Sequence, residues 1–173
     1  MWICKMNLAV KIAKDESEVA TCMLLRRAVF IQEQNVAEHE EVDGEDQNCT
    51  HVLATANGIP AGAARFQQLG SYVKIQRVCV LKEYRGHGIG AEVIKFIVGH
   101  VSNSGGIASI RLGAQTHALD FYHKLGFIKC GKEYLDAGIL HQDMELKIFW
   151  QISLVHTTSL NTPFLNTMDK YTC

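Results

Sequence analysis

The sequence lacks a surplus of charge of either sign. Seventeen Lys and Arg residues balance 18 Asp and Glu residues over 173 positions, for a net charge of −1. That balance gives no broad cationic surface of the kind that holds nucleic acid or an anionic membrane, so neither is expected as a partner. Long apolar runs are also missing. The opening MWICKMNLAVKIAK is short and broken by lysines, and no later stretch approaches membrane-spanning length. The expectation is a soluble, cytoplasmic protein without a signal peptide. None of the six cysteines is spaced C-x-x-C, and Cys79 sits inside the apolar run RVCVL. This scatter excludes a disulfide framework and reads as buried thiols in a reducing compartment. His39, His51, His87, His117 and His123 are single and dispersed, and Cys49-Thr50-His51 alone is too little for zinc, so no metal is expected.

What is present is an ordinary globular composition, with 47% apolar and 20% charged residues. Residues 7–14 alternate like a strand. Residues 15–35 read as one amphipathic helix, with Val19, Met23, Arg26/Arg27 and Phe30 at helical spacing and Asp15 or Ser17 as its cap. Six acids fall between Glu38 and Asp46 in what reads as a loop over 36–48. A strand, an Asn-Gly turn, a second strand, a Gly-Ser turn and a third strand then run to residue 81. A glycine-rich turn leads into a helix over 89–103. A strand over 108–115 follows, then a short helix over 117–126, with Thr116 as a cap and Gly126 as its end. Residues 127–149 hold two more strands. The order β-α-βββ-α-β-α-β(β) predicts an α+β domain over residues 6–148, built on one mixed central sheet flanked by helices. Residues 149–173 lose the periodicity and read as a C-terminal extension, a candidate for disorder.

The glycine-rich turn is Arg85-Gly86-His87-Gly88-Ile89-Gly90, between a strand and a helix N-terminus. First-turn helix amides lack intrahelical partners, and the helix dipole favours an anion there. Glycine lets backbone approach a phosphate closely, and Arg85 adds a cation. The plain alternative is a strand-to-helix turn that needs glycine. A dinucleotide fold is another, since GHGIGA matches G-x-G-x-x-A. That fold wants an acidic residue at the end of the next strand, and here the strand ends RLGAQ. No Gly-Lys-Ser/Thr occurs, so the Walker pattern is absent.

The turn resembles the Arg/Gln-x-x-Gly-x-Gly/Ala signature of the GNAT (GCN5-related) N-acetyltransferases. HALDFYHKLGF (117–127) is similar to that family's A-x-x-F-Y-x-x-x-G-F segment. Residues 29–46 and 135–146 resemble its YjcF/ElaA-like subgroup. The resemblance implies strands four and five splayed around coenzyme A, with the pyrophosphate on the Arg85, Gly86, His87, Gly88, Ile89, Gly90 backbone. It implies that Val78 and Val80 pair with the pantetheine arm, that Gln115 reaches the same arm, and that Tyr122 is the general acid. The alternative for Tyr122 is a ring packed on the sheet. Glu33, Gln34, Glu41 and His141 are implied at the acceptor side. For the acidic loop, the reading of a mouth for a cationic amine stands beside that of a solvated loop. Cys79 reads as packing rather than as a nucleophile. The implied activity is transfer of acetyl from acetyl-CoA to a primary amine of a small molecule, amino sugar or peptide, by a monomer or homodimer. The alternative is a CoA-binding module without activity.

Overall fold

In the computed structural model, which describes residues 6–148, Asp15 does start the first helix. Its Oδ1 accepts from the Glu18 amide at 2.9 Å, satisfying a first-turn donor. Strand β1 (Leu8–Ile12) precedes it, and α1 runs over Glu16–Arg26. The chain then departs from the single helix predicted over 15–35. Arg27–Glu33 form a π-helix, with the Gln34 amide bonding the Val29 carbonyl at 3.1 Å. Widened turns of this kind recur at functional sites. The predicted loop over 36–48 holds α2 (Glu38–Glu41) and a 3₁₀ turn over Asp46–Asn48.

Strands β2 (Thr50–Ala56) and β3 (Ile59–Leu69) meet through Asn57 and Gly58, both at positive φ (51° and 81°). That two-residue turn matches the right-handed twist of the strands it joins. Strand β4 (Tyr72–Val80), α3 (Ile89–Ser102) and β5 (Ser109–Gln115) follow. Thr116 does not cap the next helix. A 3₁₀ turn over Thr116–Ala118 comes first, and α4 is only Leu119–His123. Gly126, at φ +92°, ends it as expected. The chain closes with β6 (Ile128–Asp136) and β7 (Ile139–Lys147). Residues 149–173 lie outside the described residues.

All seven strands form one sheet, in the order β1-β2-β3-β4-β5-β7-β6. Every neighbouring pair is antiparallel except β4 and β5. This is the α+β mixed sheet that the element order predicts. One face carries the main core. Helix α3 lays Ile89, Val93, Ile94, Ile97 and Val101 on it, one stripe at helical spacing, against Val52, Ile75 and Ile110. Burying each such side chain stabilises the fold by about 1.5–3 kcal/mol. The other face packs Cys22, Leu25 and Val29 against Leu53, Ala63 and Cys79. Among the described residues no helix is long and apolar enough to cross a membrane.

Candidate active site

Strands β4 and β5 pair only from Tyr72↔Ser109 to Ile75↔Leu112. Beyond that point β5 stays with β7 as far as Gln115↔His141, whereas β4 stays with β3. A bulge at this point bends β4. Gln76 pairs with Arg65, but the next pair is Cys79 with Ala63, leaving Arg77 and Val78 opposite one residue. Arg77 takes φ +54°, a left-handed conformation that is strained for a side chain of this size. The Leu81 amide donates to the Ala61 carbonyl at 2.9 Å. Strand alternation therefore turns the backbone groups of Val78 and Val80 toward the gap left by β5.

The glycine-rich turn sits at the mouth of this gap. Gly86 and Gly88 have φ of +80° and +83°, and a β-carbon on either would meet nothing within 4 Å. Glycine serves backbone conformation and open approach here, not crowding. Gly88 is the N-cap of the 14-residue α3, so the first-turn amides of that helix open onto the turn. A mostly apolar cavity of about 470 Å³ follows, lined by Val78, Val80, Tyr84, Gly88, Ile89 and Phe121 among others. Arg85 is not a loose cation. Its Nη1 and Nη2 donate to the two Glu33 carboxylate oxygens at 2.6 and 2.7 Å, and its Nε to the Val80 carbonyl at 3.0 Å. This bidentate pair holds the Glu33 carboxyl below its usual range.

Tyr122 borders this cavity and a second, polar one of about 330 Å³ on the other side of the gap. It is 8% exposed, between Phe121 and Phe127. Burial pushes its phenol well above the ordinary value. The neighbouring Cys79 thiol, also buried, is pushed up to about 12. A pKa this high removes Cys79 as a nucleophile at neutral pH.

The polar cavity is lined by Gln34, Glu41, Gln115 and His141. Gln115 Nε2 donates to Gln34 Oε1 at 3.0 Å, tying the end of β5 to the end of the π-helix. Glu33 points instead to the turn. Tyr134, Asp136, His117 and Lys74 also line the cavity, and the sequence reading gave none of them a role there. Gly113 in the middle of β5 was the available signal, because an interior strand glycine often marks a close approach.

The acidic segment is divided: Glu38, Glu40, Asp43 and Glu45 are exposed, whereas Glu41 is buried and Asp46 half-buried. Glu41 is 2% exposed, with Oε1 2.5 Å from Arg26 Nε and Oε2 2.7 Å from Arg77 Nε. Arg26 and Arg65 are fully buried and share Asp46, while Asp43 pairs with Arg65 and Arg77. Hydrogen bonding to Arg65 holds Asp43 far below its usual range. Burial opposes ionisation of Asp46, but the bonds from Arg26 and Arg65 outweigh it. Arg77 also donates to the Glu40 carbonyl at 2.7 Å, so this cluster grips the bulged residue of β4. Among the described residues, no group of three or more His, Cys, Asp or Glu could hold a metal ion.

A split parallel strand pair, a glycine turn on a helix N-terminus and a tyrosine bordering both chambers lie together here, and likeness to known proteins gives the class, the acyltransferases. The chain matches the family model for the acetyltransferase (GNAT) domain over residues 12–148, and it belongs to that family. YjcF of Bacillus subtilis, an uncharacterised N-acetyltransferase, is 37% identical over 134 residues, spanning 77% of this chain and 95% of YjcF. The crystal structure of Escherichia coli ElaA superposes with TM-score 0.70 at 26% identity, covering 81% of this chain and 98% of ElaA. An aminoglycoside 6'-N-acetyltransferase complexed with coenzyme A shares the fold, with TM-score 0.66 at 15% identity and coverage of 83% and 98%.

Proposed function

We propose that this chain moves an acetyl group from acetyl-CoA to the primary amine of a small molecule. The observation that carries this is the gap between β4 and β5, open to an anion-binding turn at one end and to a polar chamber at the other. The pyrophosphate lies on the backbone of Arg85, Gly86, His87, Gly88, Ile89 and Gly90. The pantetheine arm takes the place of the missing strand, along Val78 and Val80, with Gln115 beside it. The acceptor enters on the side of Gln34, Glu41 and His141. On this reading Glu33 acts through Arg85, by joining the π-helix to the turn.

The amine nitrogen, once neutral, attacks the thioester carbonyl carbon. The C–S bond breaks as the C–N bond forms, the departing sulfur takes the proton of the Tyr122 hydroxyl, and the proton lost by the attacking nitrogen returns through water to that phenolate. Burial raises the Tyr122 phenol, so it holds a proton to give at neutral pH. The reading also places the protein in a reducing cytoplasm, in keeping with four free cysteines among the described residues.

Calorimetry with coenzyme A, followed by amine-dependent release of free thiol from acetyl-CoA, tests it. Tyr122→Phe should slow turnover by about 10²–10⁴-fold with acetyl-CoA affinity kept. A folded protein that does not bind coenzyme A overturns the reading, and a wild-type rate in Tyr122→Phe returns that tyrosine to a packing role.

A further inference from the structure

One wall of the polar cavity carries two rings, Tyr134 and His141. It is built by an irregularity in β6, where Lys129 pairs with Met144 but Glu133, rather than Gly131, pairs with Gln142. Gly131 sits in the looped-out stretch at φ +70°. Gln142 Nε2 holds that stretch by its Cys130 and Gly131 carbonyls, at 2.7 and 3.3 Å. Beyond it Tyr134 folds back across β7. Its hydroxyl donates to Asp143 Oδ1 at 2.9 Å, and its ring stacks on His141 with centroids 5.9 Å apart and planes at 21°. The His141 ring is itself fixed, with Nδ1 2.8 Å from the Ile139 carbonyl.

The tyrosine hydroxyl lies over Gly113 of β5, and a β-carbon built on Gly113 would collide with it. A central strand weakened by glycine thus makes room for one side chain of an outer hairpin. The result is two rings held rigidly from three strands, yet Tyr134 remains 38% exposed and both rings border the cavity. Burial and Asp143 push the Tyr134 phenol up to about 12, so it stays protonated, and keeps its anchor, at neutral pH. A hairpin needing only a cross-strand pair would not need the gap in β5.

We propose that Tyr134, seated in the gap of Gly113 and stacked on His141, positions the acceptor, and that this wall selects amines bearing a ring over open-chain amines. The proposal rests on the acetyltransferase reading above. An aromatic wall fixed in advance offers area for stacking at little entropic cost, and the ring of the acceptor sets where its amine points.

The test uses 2-phenylethylamine and glucosamine as ring-bearing amines and 1,4-diaminobutane as the open-chain one, at saturating acetyl-CoA. Wild type should show the lower KM for the ring-bearing pair. Tyr134→Ala should raise that KM about tenfold, the scale of a stacking contact, and leave the KM for acetyl-CoA and for 1,4-diaminobutane in place. Gly113→Ala should copy it by displacing an intact tyrosine, and Tyr134→Phe should restore most of the affinity by keeping the ring. Thermal melting checks that each variant is folded. A preference for 1,4-diaminobutane, turnover of none of the three, or an equal rise in the acetyl-CoA KM overturns the proposal. Coenzyme A binding measured on the same wild-type sample separates these outcomes from failure of the acetyltransferase reading itself.

Discussion

Beneath α1, three arginines and three carboxylates close on one another, with Arg26 and Arg65 wholly out of water and Glu41 nearly so. At the far end of β4, the Arg85–Gly90 turn is exposed, and its one arginine is already committed to Glu33. The first region is rich in ionised side chains but leaves none of its arginines uncompensated. The second has few, but it opens helix-end amides to solvent. Charges that satisfy each other hold backbone in place, here the strained bulge at Arg77. Donors left open by the chain's own geometry are the ones available to a ligand.

The sharpest break in this comparison is Arg26→Ala. It leaves Glu41 buried and Asp46 half-buried with one cation fewer, which costs about 3–5 kcal/mol. Chemical denaturation should show the loss, and a loss below about 1 kcal/mol would mean the cluster is far wetter than its burial implies. Gly88→Val acts on the other region. A β-branched residue at φ +83° is strained by about 1–2 kcal/mol and puts methyl groups where a phosphate must approach. Calorimetry should show coenzyme A affinity falling at least about tenfold in a protein that still folds.

Acid separates the regions further. Asp43 and Asp46 are both held below their ordinary value of 3.8 in the folded state. Around and below that pH the unfolded chain binds more protons than the folded one. The stability these groups contribute is complete above the unfolded value and is lost as pH falls beneath it. Melting temperature should stay level from neutral pH toward about 5 and then drop. The smallest effect is expected from Glu33→Gln. Its partner is half exposed, so stability should change by about 0–1 kcal/mol and the difference should vanish at high salt. A larger, salt-resistant change would place Glu33 with the buried cluster.

The two regions also differed in how far the sequence revealed them. The turn was legible because its information is local. Glycines beside an arginine between an apolar strand and an amphipathic stripe describe their own geometry, and Asn57-Gly58 did the same for the β2–β3 hairpin. The cluster was not, because Arg26, Glu41, Arg65 and Arg77 meet across four separate elements. Six acids in a row look alike whether they face water or arginine. One hint was present, in that Arg26 lies on the buried side of α1 with Cys22 and Leu25. A cation on that side requires a buried anion. The π-helix and the bulge at Arg77 left no local signature, since each is a misfit between paired strands or turns and not a property of one segment, whereas Gly131 inside β6 was a local hint of its irregularity.

The free cysteines have a consequence for product tolerance. Acyl transfer from coenzyme A releases it as a thiol, and once that thiol is oxidised to its own disulfide a protein thiolate can displace one half and form a mixed disulfide. Exchange needs a thiolate on the protein. Burial holds Cys22 at about 11 and Cys79 at about 12, and it raises Cys49 and Cys130 as well. The same dry packing that closes the sheet therefore makes the described cysteines poor partners for oxidised coenzyme A, so the catalyst is spared capture by its own spent cosubstrate.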